Sequence, residues 1–127
     1  MTTTDTTTIS EVQELQFALM RKATFNEFNG DHVVDSLLAH RDLWEGAVMD
    51  RADYYYRGGE GDHAEPVDLI KLRDIAAGYW NVNTVYLLAA TGQEDKLELL
   101  VRREWYADEI DWMHNTHVGK YLRVWWD

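Results

Sequence analysis

Two histidines have the spacing that could best support metal chemistry. His114 and His117 form an H-x-x-H pair, and Asp111 lies three residues before the first of them. On a helix this spacing would place both imidazoles on one face, where a nearby carboxylate could complete a zinc or iron shell. The pair lies in a predicted turn, and the chain has no cysteine and no H-E-x-x-H motif, so histidines that face water are the simpler explanation. We keep the three residues as metal-ligand candidates and predict no cofactor.

Nucleophilic catalysis has little support in the sequence. The two serines, Ser10 and Ser36, are explained by a helix cap and by a solvent-facing helix position, and there is no G-x-S-x-G elbow, P-loop or Rossmann glycine pattern. Adjacent carboxylates such as Asp108 and Glu109 are expected from composition, because the chain has 23 acidic residues. The sequence therefore favours a protein that is not an enzyme.

The aromatic residues indicate a contact surface instead. Trp125 and Trp126 are neighbours on a predicted strand, so their side chains should point to opposite faces of the sheet. If helices cover only one face, Trp125 and Tyr121 would form an aromatic patch on the other, and such patches are common centres of protein–protein contact. Three consecutive tyrosines before a glycine-rich stretch suggest a second exposed aromatic site. The predicted interaction residues are Tyr54, Tyr55, Tyr56, Tyr121 and Trp125.

The net charge of −11 narrows the classes of partner. Binding to nucleic acid or to an anionic membrane requires concentrated Lys and Arg, so we predict neither. The plain explanation of the charge is solubility. A sharper hypothesis is an acidic surface that meets a basic partner, for example by imitating the charge pattern of DNA. A protein partner or self-association therefore remains open.

The 127 residues are expected to form one domain over residues 9–127. With 46% hydrophobic residues, disorder of the whole chain is excluded. Residues 1–8, almost all threonine, predict a flexible tail, and the glycines near residues 57–65 predict a mobile loop. No apolar run is long enough to cross a bilayer, and the absence of cysteine fits a cytoplasmic protein.

A strand followed by a helix is the strongest local pattern. Residues 84–90, an apolar run between asparagines and a glycine, predict a strand buried on both faces, with a short buried helix as the alternative because periodicity cannot separate the two at this length. Within residues 94–104, apolar side chains recur at every third or fourth position. Acids stand in the first turn and arginines in the last, and the whole pattern predicts a helix. Thr91, three residues before Glu94, has the spacing of a capping box.

Two helices are predicted before this unit. The first spans residues 9–20, where Ser10 and Gln13 have capping-box spacing and Val12, Leu15 and Leu19 share the expected buried face. The second begins near residue 31, with Val34, Leu37 and Leu38 along the buried side and Asp35 and Ser36 on the other. Asn29 and Gly30 predict a turn between the two helices.

The remaining segments decide the fold class. Residues 44–49 favour a strand, residues 67–75 suit a strand or a short helix, and residues 108–113 and 121–126 alternate as two strands of a hairpin. Together they predict an α+β fold, in which two N-terminal helices and one later helix pack on a small, mostly antiparallel sheet. A mainly α domain is the alternative.

Three functions follow as hypotheses. The leading one is a non-enzymatic protein-interaction domain with an acidic surface and an exposed aromatic patch. The second is an acidic inhibitor that mimics DNA toward a nucleic-acid-binding protein. The third is a small metal- or ligand-binding enzyme that uses His114, His117 and nearby acids.

Overall fold

The fold is a layer of helices on a four-stranded antiparallel sheet, with a separate two-stranded antiparallel sheet, seen in a computed structural model that describes residues 8–25, 27–51 and 68–127. The helices are α1 (Glu11–Met20), α2 (Gly30–Ala39), α3 (Asp68–Ala76) and α4 (Glu94–Glu104), with a 3-10 turn at Arg41–Leu43. The strands are β1 (Thr24–Phe25), β2 (Phe28–Asn29), β3 (Trp44–Asp50), β4 (Thr84–Ala89), β5 (Glu109–Asn115) and β6 (Gly119–Trp125). The predicted α+β class is confirmed and the mainly α alternative is wrong.

The four-stranded sheet has the order β3-β4-β6-β5, and all of its pairs are antiparallel. Of the ambiguous segments, residues 44–49 lie in β3, residues 109–113 of the segment 108–113 lie in β5, and most of residues 67–75 lie in α3. Gly119, at a φ of +80°, closes the predicted hairpin between β5 and β6, because a residue with a Cβ rarely adopts that conformation. The predicted tail and mobile loop lie outside the described residues, except for Thr8. No helix among the described residues is long and apolar enough to cross a membrane.

Tryptophans form the centre of the core. Trp44, Trp105 and Trp126 are each no more than 1% exposed, and each indole N–H has a hydrogen-bond acceptor. Trp44 donates to the carbonyl of Leu37 at 2.8 Å, Trp105 donates to Oγ of Ser36 at 3.0 Å, and Trp126 donates to the carbonyl of Trp105 at 3.0 Å. The rings of Trp105 and Trp126 are stacked, with centroids 6.3 Å apart. Because a buried indole without an acceptor is costly, these bonds fix where α2, α4 and the end of β6 meet.

Helix α2 begins where the chain approaches α1 most closely. The side chain of Asn29 caps the helix by accepting from the backbone N–H of His32 at 3.0 Å. A Cβ on Gly30 would lie 2.0 Å from the carbonyl oxygen of Met20, so only glycine fits there. The expected polar side of α2 was wrong at Ser36, which is buried against Trp105, while Leu38 is 44% exposed.

The buried face predicted for α1 is also wrong. Val12 and Leu15 are 77% and 61% exposed, whereas Phe17 and Met20 are buried. The helix is rotated because its glutamines bind the free edge of β3. Ser10 caps the helix as predicted, yet Gln13 does not complete the capping box.

Gln13 instead brackets one residue of β3. Its Nε2 donates to the carbonyl of Ala47 at 2.7 Å, and its Oε1 accepts from the N–H of Ala47 at 2.9 Å. Gln16 accepts from the N–H of Met49 at 2.9 Å. Side-chain amides thus take the place of a neighbouring strand for the N–H and C=O of Ala47 and the N–H of Met49.

Two further details differ from expectation. The N-cap of α4 is Gln93, which makes no side-chain capping bond, and Thr91 is exposed rather than part of a capping box. Strand β4 is fully buried on one face only. Val85 and Leu87 are at most 1% exposed, while Tyr86 and Leu88 on the other face are half-buried.

Replacing Gln13 with alanine should destabilise the domain by about 1–3 kcal/mol, because the N–H and C=O of Ala47 lose their partners at a partly buried edge. Gln13→Glu should also destabilise the domain, since a carboxylate can accept from the N–H but cannot donate to the carbonyl. The measurement is the free energy of unfolding from urea titration.

The matched control is Glu14→Ala, one position along the same helix, where the side chain is exposed. Equal losses for Gln13→Ala and Glu14→Ala would contradict the assigned role of the glutamine.

Candidate binding surface

Along each strand of the four-stranded sheet, residues that point into the core alternate with residues that point to the other side. The core side packs with the helices and includes Val85, Leu87, Leu122 and Val124, all at most 1% exposed. We call the other side the open face. Its residues are Gly46 and Val48 in β3, Tyr86 and Leu88 in β4, Tyr121, Arg123 and Trp125 in β6, and Glu109, Asp111 and Met113 in β5.

The open face forms a shallow apolar concavity of about 860 Å³. Val48, Met113 and Val118 line it with 43%, 41% and 55% of their surface exposed. Gly46 lies opposite Leu88, and no atom lies within 4 Å of the place where its Cβ would be. The missing side chain therefore deepens the concavity at this end of the sheet.

Arg123 carries the positive charge of the open face. Its Nη1 lies 3.0 Å from Oε1 of Glu109 and 3.2 Å from Oδ2 of Asp111, both on the neighbouring strand. The guanidinium side chain is 15% exposed, whereas each carboxylate side chain is 53% exposed. The two acids thus present a net negative rim beside the apolar concavity. Because the pairs are partly exposed, their net contribution to stability is small.

Two of the five predicted interaction residues lie on the open face. Tyr121 lines the concavity, and its ring lies edge-on to that of Tyr86 with centroids 5.8 Å apart. Trp125 is half-buried between Thr84 and Glu109, beyond the concavity. The other three, Tyr54, Tyr55 and Tyr56, lie outside the described residues.

The metal-ligand candidates are not brought together. Asp111 is on the open face, where it pairs with Arg123, while His114, three residues along the strand, has its side chain on the opposite side of the sheet. His117 lies in the exposed turn, and its backbone N–H donates to Oδ1 of Asn115 at 2.6 Å. Within the described ranges, no three His, Asp or Glu side chains form a group that could hold a metal ion.

Sequence reasoning missed the apolar residues of this surface. Met113 continues the face of Glu109 and Asp111, and alternation alone could have placed it there. Val48 was hidden by an irregularity of the β3 register between Trp44 and Gly46, which shifts the alternation by one residue. Val118 lies in the turn between β5 and β6, where periodicity gives no signal.

A second polar cluster surrounds Asp74 near the end of α3. Asp74 is 7% exposed, and its carboxylate accepts from Nδ2 of Asn81 at 2.7 Å and from Nε of Arg73 at 2.8 Å. These two hydrogen bonds, with Asn81 the larger cause, lower the pKa of Asp74 below its ordinary value. Asn81 also accepts from Arg51 through Oδ1 at 2.9 Å. The cluster ties α3 to the segment that leads into β4, which is a structural role.

Asp74→Asn should make the stability of the domain less dependent on pH. With its folded-state pKa lowered, the carboxylate stabilises the fold above the ordinary carboxyl pKa, and this contribution is lost as the pH falls through the lowered value. The variant should be less stable than the wild type near neutral pH, where the charged hydrogen bonds are complete, and the difference should shrink in acid. Unfolding titrations at several pH values check this. The control is Asp42→Asn, because Asp42 is exposed. If Asp74→Asn and the wild type showed the same dependence of stability on pH, the role assigned to the Asp74 carboxylate would be refuted.

Comparison with known proteins adds no relative. No family model, no curated protein sequence and no solved structure matches the chain. Its function is therefore argued from the chain's own surfaces, of which the open face has the strongest combination of shape, exposure and charge.

Proposed function

We propose that this protein is a non-enzymatic protein-interaction domain that binds its partner through the open face. The observation that carries the proposal is the exposure of apolar side chains from two strands and a turn over one concavity. Contiguous apolar surface of this kind is costly to leave in water and marks interaction sites on folded domains.

The charge at the rim defines the partner. Glu109 and Asp111 stand beside the concavity and both pair with Arg123, in a chain of net charge −11. A partner with an apolar centre and Lys or Arg at its edge would be complementary in both shape and charge. Such rim charges speed association more than they strengthen binding, so raised salt should mainly slow the association step.

The other two hypotheses have less support. A DNA mimic needs an array of unpaired carboxylates on one face, and arginines engage several of the described acids. These acids are Asp31, Asp35, Asp74, Glu98, Glu109 and Asp111. The metal- or ligand-binding enzyme lacks a described cluster of ligands. We further infer a cytoplasmic location, which the absence of cysteine supports.

Glutamate substitutions on the open face should abolish partner capture. Val48→Glu and Met113→Glu each place a charge in the concavity, where burial against a partner would leave it without a counter-ion. Both residues are exposed in the free protein, so the fold should persist. Capture by tagged protein from native lysate, quantified by mass spectrometry against wild type, is the measurement. The loss expected for the true partner is at least tenfold, or about 1.4 kcal/mol.

Leu99→Glu is the matched control, because Leu99 is 47% exposed on α4, away from the open face. A partner lost from the open-face variants and retained by Leu99→Glu supports the proposal. Capture that is the same for all variants, or no specific partner for wild type, would reject it.

A further inference from the structure

The two edges of the sheet differ in how their backbone groups are satisfied. At β3, Gln13 and Gln16 occupy the outer edge. At β5, within residues 8–25, 27–51 and 68–127, no hydrogen bond reaches the strand backbone from any element other than β6. An edge strand of seven residues with its outer N–H and C=O groups exposed is a template for pairing with another extended chain.

We propose that this edge pairs with the same edge of a second copy of the chain. The two β5 strands would run antiparallel about a twofold axis and join the two sheets into one. A second copy is favoured over an unrelated strand because two β5 strands can overlap over their full length without opposing two carboxylates.

The register that overlaps all seven residues is centred on Trp112. It places Glu109 opposite Asn115, Ile110 opposite His114 and Asp111 opposite Met113 of the second copy, so no carboxylate directly faces another. Moving the centre to Asp111 would oppose that carboxylate to its own copy, and centring on Ile110 would oppose Glu109 to Asp111. Like charges directly opposite destabilise a strand pair, so full overlap and charge favour the same register.

Trp112, which would lie on the twofold axis of the proposed dimer, already has a fixed side-chain position. Its indole N–H donates to Oε1 of Glu98 at 2.8 Å, and Nζ of Lys120 lies 4.6 Å from the ring centroid. The ring is therefore held in place on the helix side of the sheet, half-buried, before any partner arrives. Two such rings directly opposite would form an aromatic cross-strand pair, one of the more favourable pairs in antiparallel sheets.

The charge of the whole chain sets the salt dependence. Two copies of net charge −11 repel each other, whereas the local contacts in the proposed register involve no directly opposed carboxylates. Screening should therefore strengthen self-association as ionic strength rises. Binding of a basic partner at the open face would respond in the opposite direction.

Single cysteines test the register directly, because the natural chain contains none. Glu109→Cys and Asn115→Cys are made separately, mixed and oxidised. In the proposed register, positions 109 and 115 of different copies are directly opposite, with Cα atoms about 5 Å apart, within disulfide range. Within either variant alone, the two equivalent cysteines are about 20 Å apart, six residues along a strand.

The expected result is a disulfide-linked heterodimer in the mixture and no linked dimer from either variant alone. Sedimentation of the wild type should show a dimer that grows with concentration and with salt. A wild type that stays monomeric with no crosslink in the mixture overturns the proposal. Equal crosslinking of the single variants, or a dimer without the 109–115 link, assigns the contact elsewhere and also overturns it.

A carboxylate introduced at position 115 gives an independent check. Asn115→Asp would face Glu109 of the second copy at both ends of the strand pair and should lower the dimerisation constant about tenfold. An aspartate at this position can still accept from the N–H of His117, so the turn is kept. Adding Glu109→Gln should restore dimerisation, since the opposed residue becomes neutral. Asn115 lines the concavity and Glu109 stands at its rim. Dimerisation is measured by sedimentation of the purified protein alone, without any other partner, so this result and the capture experiment can fail separately.

Discussion

Three buried indoles constrain how the elements of the domain meet, because burial removes water from each N–H and the fold must supply an acceptor in its place. Two of the acceptors, the carbonyl of Leu37 and the hydroxyl of Ser36, are neighbours on α2. The third is the carbonyl of Trp105 at the end of α4. Helix α2 is thereby joined to the start of β3 and to α4, and α4 to the end of β6. The apolar face of the sheet is covered by this framework, which leaves the open face without equivalent anchors.

The two edges of the sheet show two solutions to one problem. An exposed strand edge invites pairing, and β3 is protected by glutamine amides that copy the hydrogen bonding of a strand. At β5 the acids Glu109 and Asp111 are the only comparable deterrent among the described residues, and Arg123 partly neutralises both. The open face and the β5 edge therefore meet at one corner of the molecule, where apolar surface, carboxylates and free backbone groups lie side by side.

The sequence predicted the positions of the helices and strands better than it predicted which of their faces are buried. Alternation in β6 correctly separated Leu122 and Val124 from Tyr121 and Trp125, and the breakers around β4 located it closely. Helical periodicity failed for α1, because the helix buries Phe17 and Met20 and turns Gln13 and Gln16 toward β3. No local pattern reveals that a polar residue will substitute for a strand 34 positions away. The apolar lining of the open face was missed for a related reason, since a register irregularity and a turn interrupt its periodicity.

The docking of α1 on β3 also means that amide hydrogen exchange can report how often this edge of the sheet opens. The amide protons of Ala47 and Met49 are held by glutamine oxygens rather than by a strand. Their exchange with solvent deuterium therefore depends on how often α1 moves away, while their neighbours in β3 depend on the sheet itself. Two adjacent sets of protons in one strand would report two different opening events. Each opening of α1 would briefly expose a second pairing edge, so its frequency limits how long the monomer can avoid misassociation.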